Sequence, residues 1–237
     1  TMLADHIGAV LLERIVYYRG NLEQVAMLMT SQWGDTLYWL WRMLRTVGRI
    51  AFPIYCFLLV EGFLHTRDWR RYWLRMAAFA LISEIPFRLA VWNTWAGGSS
   101  NVYVELAIGL LVLRGLKQSE GLTQPRRAAG MAAVIGGGCL AAVFLKADYD
   151  MDGILIISLF YLLREKRIVQ VMSGGILSLL ESWNMCYGAG ILSAVPLYFY
   201  NGKKGQAPWK YAFYWFYPLH LMVLFFIRLY VVGIPLG

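Results

Sequence analysis

The sequence predicts an all-α fold, a polytopic membrane helical bundle of about nine short spans (range about 8–10) plus one interfacial amphipathic helix. Composition is the first reason: 59% of the 237 residues are hydrophobic and only 15% charged, where soluble domains carry about 25% charged residues. The second is that the apolar residues come in runs bounded by charge clusters. The third is that these clusters alternate between basic and neutral or acidic along the chain.

In order, the apolar runs are residues 2–18, 49–64, 74–92, 102–116, 128–145, 153–163, 169–183, 187–200 and 211–231. A helical crossing takes about 20 apolar residues, so the shorter runs are expected to tilt little, thin the bilayer locally or enter it only partway. Residues 21–46 mix polar and apolar side chains around Trp39 and Trp41, which suits an amphipathic helix at the interface. Thr1 is followed directly by apolar residues, so the first helix is expected to be the trimmed part of a longer one. No cleavable signal peptide is expected, because the run leads into Glu13 and Arg14 without a small-residue cleavage site. A single integral-membrane domain over residues 1–237 follows from this map.

Most lysines and arginines fall in the connections 66–75, 116–127, 164–167 and 201–210, whereas 93–101, 147–152 and 182–185 carry little or negative charge. The positive-inside rule then places the N-terminus in the cytoplasm and the C-terminus outside. The formal charge of +8 is explained by this basic face and requires no nucleic acid. Cys56, Cys139 and Cys186 are isolated in apolar surroundings, and their spacing fits neither a disulfide framework nor a zinc site. No metal is expected.

The chain has three histidines, His6, His65 and His220, each inside a strongly apolar run. An ionisable group at the bilayer centre costs roughly 2.5–3.5 kcal/mol on insertion scales, so such residues point to function. Glu61 and His65 are spaced i, i+4 and would share a helix face, where a carboxylate could orient the imidazole. The competing reading leaves His65 at the water boundary and pairs Glu61 with an arginine such as Arg75. Asp5 and His6 are adjacent and so point about 100° apart on a helix; Asp5 would meet a cation such as Arg49 while His6 faces a cavity. His220 follows Pro218, whose missing N–H frees a carbonyl one turn earlier. A kink there opens a pocket for the imidazole or simply lets it bond a neighbouring carbonyl. Glu84 and Arg88, i, i+4 beside Pro86, are expected to form an internal ion pair in a kinked helix. Glu105, Asp148, Asp150 and Asp152 are expected near the outer surface. The three aspartates lack the glycine and closing glutamate of an EF-hand.

Five stretches carry a more specific signal: residues 5–9 (DHIGA), 48–66 (GRIAFPIYCFLLVEGFLHT), 80–87 (ALISEIPF), 200–203 (YNGK) and 216–220 (FYPLH). Together they resemble the TraX family of conjugal-transfer membrane proteins. The likeness runs from the first helix to the last and is thinnest over 115–180, where Asp148 and Tyr149 carry it. Its motif positions fall on Asp5, His6, Arg49, Pro53, Glu61, Gly62, His65, Glu84, Pro86, Tyr217, Pro218 and His220.

The resemblance implies a multi-pass acetyltransferase of the bacterial cytoplasmic (inner) membrane, since the family's namesake acetylates the N-terminus of pilin with acetyl-CoA. The implied acceptor is an amine, such as a peptide N-terminus, or the hydroxyl of a small molecule. Such a transfer needs a base for the acceptor and a donor for the developing oxyanion. His6 is expected to be the base, with Asp5 orienting it and Glu61, His65 and His220 lining the same cavity; the other assignment makes His65 the base with Glu61 as partner. Coenzyme A phosphates call for cations, for which Arg49, Arg67, Arg70, Arg71, Arg75, Lys203 and Lys204 are the candidates. A small proton-coupled transporter would also place His and Glu in kinked helices near the midplane, although no inverted repeat is visible.

Overall fold

A computed structural model describes residues 1–17, 32–202 and 210–232, and every regular element among them is helical. Helix α1 (residues 2–17) contains a π turn over Gly8–Leu12. It is followed by α2 (Gln32–Gly48), α3 (Ala51–His65), α4 (Trp69–Phe87, prolonged by a π turn at Arg88–Trp92) and α5 (Val102–Ser119). Then come α6 (Arg126–Phe144), α7 (Asp150–Leu162) and α8 (Arg167–Cys186). A 3-10 turn (Ala189–Ser193), α9 (Ala194–Tyr198) and α10 (Lys210–Ile227, ending in a π turn at Arg228–Val232) complete the chain.

Among the described residues, three helical stretches are long and apolar enough to cross a membrane: Trp33–His65, Arg126–Phe144 and Tyr211–Tyr230. The first revises the sequence map. Residues 21–31 of the expected interfacial helix lie outside the described residues, but 32–46 run on into α3 as one 33-residue helical stretch. No proline interrupts the junction, and the Arg49 amide donates to the Arg45 carbonyl at 3.2 Å, which keeps the turn helical. Gly34, Trp41 and Gly48, seven residues apart, are buried on its inner side, while Trp33, Trp39 and Met43 are exposed. The expected run 187–200 becomes the ten-residue stretch Ala189–Tyr198, about 15–20 Å long against a hydrocarbon core of about 30 Å. Gly188, at φ 75°, sets that stretch apart from α8.

Helices α3, α5 and α7 form the centre of the bundle, meeting where Gly109 lets Leu59 and Ile157 close over it. Small residues serve the same purpose elsewhere, as Gly153 against Glu105 and Gly174 against Phe160. The basic connections 66–75, 116–127 and 164–167 gather at one end, where Arg164 pairs with Glu120 at 2.8 Å. The connections 93–101 and 145–149 meet at the other, where the Ser100 amide donates to the Lys146 carbonyl at 2.7 Å. Helix α1, the inner turns of α2, the far end of α4 and α10 stand around that second end. The carbonyls of the α4 π turn are capped from both sides. Buried Arg228 donates to Leu89 and Ala90 at 2.9 and 2.7 Å, and Arg14 donates to Val91 at 2.6 Å.

Candidate functional site

Three helices bring the site together. α1 and α2 approach closely at Gly48, where any Cβ would collide with Asp5, so Asp5 and His6 are held against the α2–α3 junction. α10 brings in His220. Pro218 has no amide for the Tyr214 carbonyl, and the Tyr103 hydroxyl supplies the missing donor at 3.2 Å. The helix therefore continues through His220 without leaving a carbonyl unsatisfied.

His6 Nδ1 and His220 Nε2 lie 2.7 Å apart, and both rings are buried. His220 Nδ1 lies 2.6 Å from the Phe216 carbonyl. A carbonyl only accepts, so His220 Nδ1 carries the proton of that bond. In the neutral ring Nε2 is then the acceptor, and His6 Nδ1 must donate to it. His6 Nε2 is left with its lone pair, which is the form a general base requires. Tyr217 packs edge-on to both rings, at centroid distances of 5.7 and 5.8 Å.

A cavity of about 720 Å³ opens beside His6, toward the end of the bundle where residues 93–101 and 145–149 meet. Its lining sets three arginines, Arg14, Arg45 and Arg49, against the four carboxylates of Asp5, Glu13, Asp148 and Glu181. Asp5 takes Arg45 at 2.8 Å, and Arg49 reaches Glu181 at 3.4 Å. Tyr149 lies flat on Phe52, with ring centroids 3.4 Å apart. Asp148 is exposed to the cavity but shielded from bulk water by the surrounding protein, and this desolvation pushes its carboxyl up to about 6, with Arg49 opposing and Asp5 reinforcing the rise.

Of the residues expected to share one cavity, Asp5, His6 and His220 come together and Glu61 and His65 do not. The His65 ring donates to the main-chain carbonyl of Glu61 at 2.8 Å rather than to its carboxylate, and it is exposed. α3 explains the separation. His65 lies 14 residues from Ala51, about 20 Å along the axis, whereas Ala51 lines a cavity together with His6. Arg67, Arg70 and Arg71 are exposed at that basic end, where Arg71 pairs with Asp68 at 3.0 Å, and Arg75 sits over the Tyr72 ring. Lys203 and Lys204 lie outside the described residues. Among the described residues, Arg49 is the only one of the expected phosphate-binding cations that reaches the cavity. Its arginines face at least as many carboxylates, so the lining suits a polar substrate better than the phosphates of coenzyme A.

Glu84 and Arg88 form the expected pair at 2.8 Å, and Glu84 also accepts from the Asn101 side chain at 2.6 Å, which anchors the start of α5. Glu105, expected near the surface, is fully buried against Gly153. Arg45 and Glu181 are not among the site residues expected from the sequence. Glu181 had a readable signal as the one acid in the apolar run 169–183. Arg45 had none, because an arginine on an amphipathic helix is ordinarily a solvated face.

The family model described as TraX protein matches residues 1–228. The chain is also similar to "Probable fimbrial assembly protein FimC, serogroup H1" of Dichelobacter nodosus, 29% identical over 236 residues that cover 86% of this chain and 88% of the relative. No solved structure matches.

Proposed function

Because this chain belongs to the TraX family, we propose that it is a membrane-embedded acetyltransferase that moves an acetyl group from acetyl-CoA to the amine of a protein N-terminus. A surface-appendage subunit is the acceptor class suggested by the fimbrial-assembly name of its relative; a hydroxyl is the alternative acceptor group. It acts in the bacterial cytoplasmic membrane, with its basic connections in the cytoplasm where acetyl-CoA is made.

One observation carries this reading: the 2.7 Å contact that leaves His6 Nε2 unprotonated at the wall of a polar cavity. In the reaction His6 Nε2 takes the proton of the acceptor as its nitrogen or oxygen attacks the thioester carbonyl. The charge moving onto the carbonyl oxygen is met by an arginine of the wall, Arg45 or Arg49. The C–S bond then breaks, and the departing thiolate takes the proton back from His6, giving coenzyme A thiol and the acetylated acceptor. Arg67, Arg70, Arg71 and Arg75 would hold the phosphate end at the basic end of the bundle, about 20 Å along α3 from the cavity.

The test is release of free thiol from acetyl-CoA by the purified protein in lipid nanodiscs, with a short peptide carrying a free N-terminus as acceptor. Release is expected with the peptide and should fall about 100- to 10,000-fold in His6→Ala. Proton-dependent solute flux in vesicles, with no acetylated product, would replace the enzyme by a transporter.

A further inference from the structure

A second, smaller cavity of about 40 Å³ lies on the other side of His6. The two cavities share Asp5, His6, Asp148 and Tyr149, so these residues form the partition between them. Their remaining walls differ in kind. The large one is charged, whereas Met2, Ala51, Phe52, Tyr55, Val102 and Tyr217 give the small one a largely apolar and aromatic lining. Gly48, Ala51, Phe52 and Tyr55 are spaced i, i+3, i+4, i+7, so one face of the α2–α3 helix builds most of a side.

We propose that the small cavity is the acyl pocket, taking the methyl group of the thioester and limiting the donor to two carbons; this rests on the acyltransfer reading above. A base at the junction of a large polar arm and a small apolar arm matches a reaction that joins two partners of those sizes at one atom. The carbonyl carbon would lie at the junction beside His6, the acceptor in the polar arm and the methyl in the apolar one. Size sets the limit. An apolar cavity of about 150 Å³ accommodates benzene, so one of about 40 Å³ has room for only a few heavy atoms. Phe52 is the rigid wall, buried and clamped by its stack on Tyr149. Tyr55 is the adjustable one, since it lines the pocket and is exposed on its far side.

The experiment compares kcat/KM for acetyl-, propionyl- and butyryl-CoA in the wild type, Tyr55→Ala and Phe52→Leu, all in nanodiscs. One methylene in an apolar pocket discriminates about 10- to 200-fold. The wild type is expected to prefer acetyl over propionyl by a factor in that range, and the variants to lower that preference about tenfold with propionyl or butyryl transfer gained. Tyr55→Ala guards against a folding failure, because its side chain contributes least to the core. Variants that transfer acetyl at the wild-type ratio overturn the acyl pocket and leave the acetyltransferase standing. A wild type that transfers no acyl group from any of the three thioesters overturns both.

Discussion

His220 is a positioning residue whose effect passes through a hydrogen bond. The Phe216 carbonyl fixes its tautomer, and it in turn fixes that of His6. With only three histidines in the chain, selective nitrogen-15 labelling reads this directly. Both His6 and His220 are expected to carry the proton on Nδ1, and a His6 ring protonated on Nε2 would remove the basis for its role. In His220→Phe the His6 ring loses its acceptor, so turnover should drop about tenfold or more, with the pH profile shifting while KM for acetyl-CoA stays near its wild-type value. A merely structural role for His220 would lower the amount of folded protein without moving that profile. That histidines 6 and 220 are candidates was legible from their cost in an apolar run. That they touch was not, because 214 residues separate them and nothing local in either run refers to the other.

The elements succeed where the chain supplies its own punctuation. Asp68 caps α4 by accepting from the Arg71 amide at 3.1 Å, and Asn101 caps α5 by accepting from the Tyr103 amide at 3.0 Å. Sequence reading falls short where an end is secured by a distant side chain. The π turn of α4 forms part of the cavity wall through Val91 and Trp92, and it is held by Arg14 and the fully buried Arg228. Arg228→Met should leave the carbonyls of Leu89 and Ala90 without that donor, at about 1–3 kcal/mol for each buried group. A thermal midpoint in detergent that falls by several degrees is the expected result, together with reduced turnover, while an unchanged midpoint would mean the carbonyls find other donors. The join of α2 to α3 belongs to the same scale. Composition separated a polar stretch from an apolar one at residues 46–49, but backbone hydrogen bonding ignores that boundary, and the helix continues through it.

For the whole molecule, the two ends of the bundle carry the prediction about orientation. The native cysteines are all buried, so single cysteines placed at exposed Arg71 and Gly97 can be labelled with an impermeant maleimide in intact cells and in inverted vesicles. Arg71→Cys is expected to react only from the cytoplasmic side and Gly97→Cys only from the other; labelling of both from one side would contradict the membrane orientation. Stability should also respond to pH through Asp148. Its carboxyl titrates at about 6 in the folded protein, above the usual carboxylate range, so folding favours the protonated form. That contribution is complete below the unfolded value and is lost as pH rises through about 6. The thermal midpoint of the wild type relative to Asp148→Asn should therefore rise between pH 7 and pH 5. The sequence by itself determined the solvent and the class of structure, because apolar runs and alternating charge are statements about what each segment can bury and which side it faces. It also marked ionisable residues as candidates for a role, since an apolar setting makes each of them costly wherever it ends up. Only the tertiary structure decided which of them meet. It set Asp5 and His6 on one cavity with His220 hydrogen-bonded to His6, brought Arg45, Asp148 and Glu181 to its wall, and left Glu61 and His65 about 15 and 20 Å from Ala51 along α3, because side-chain encounters depend on how helices cross and not on spacing within any one of them.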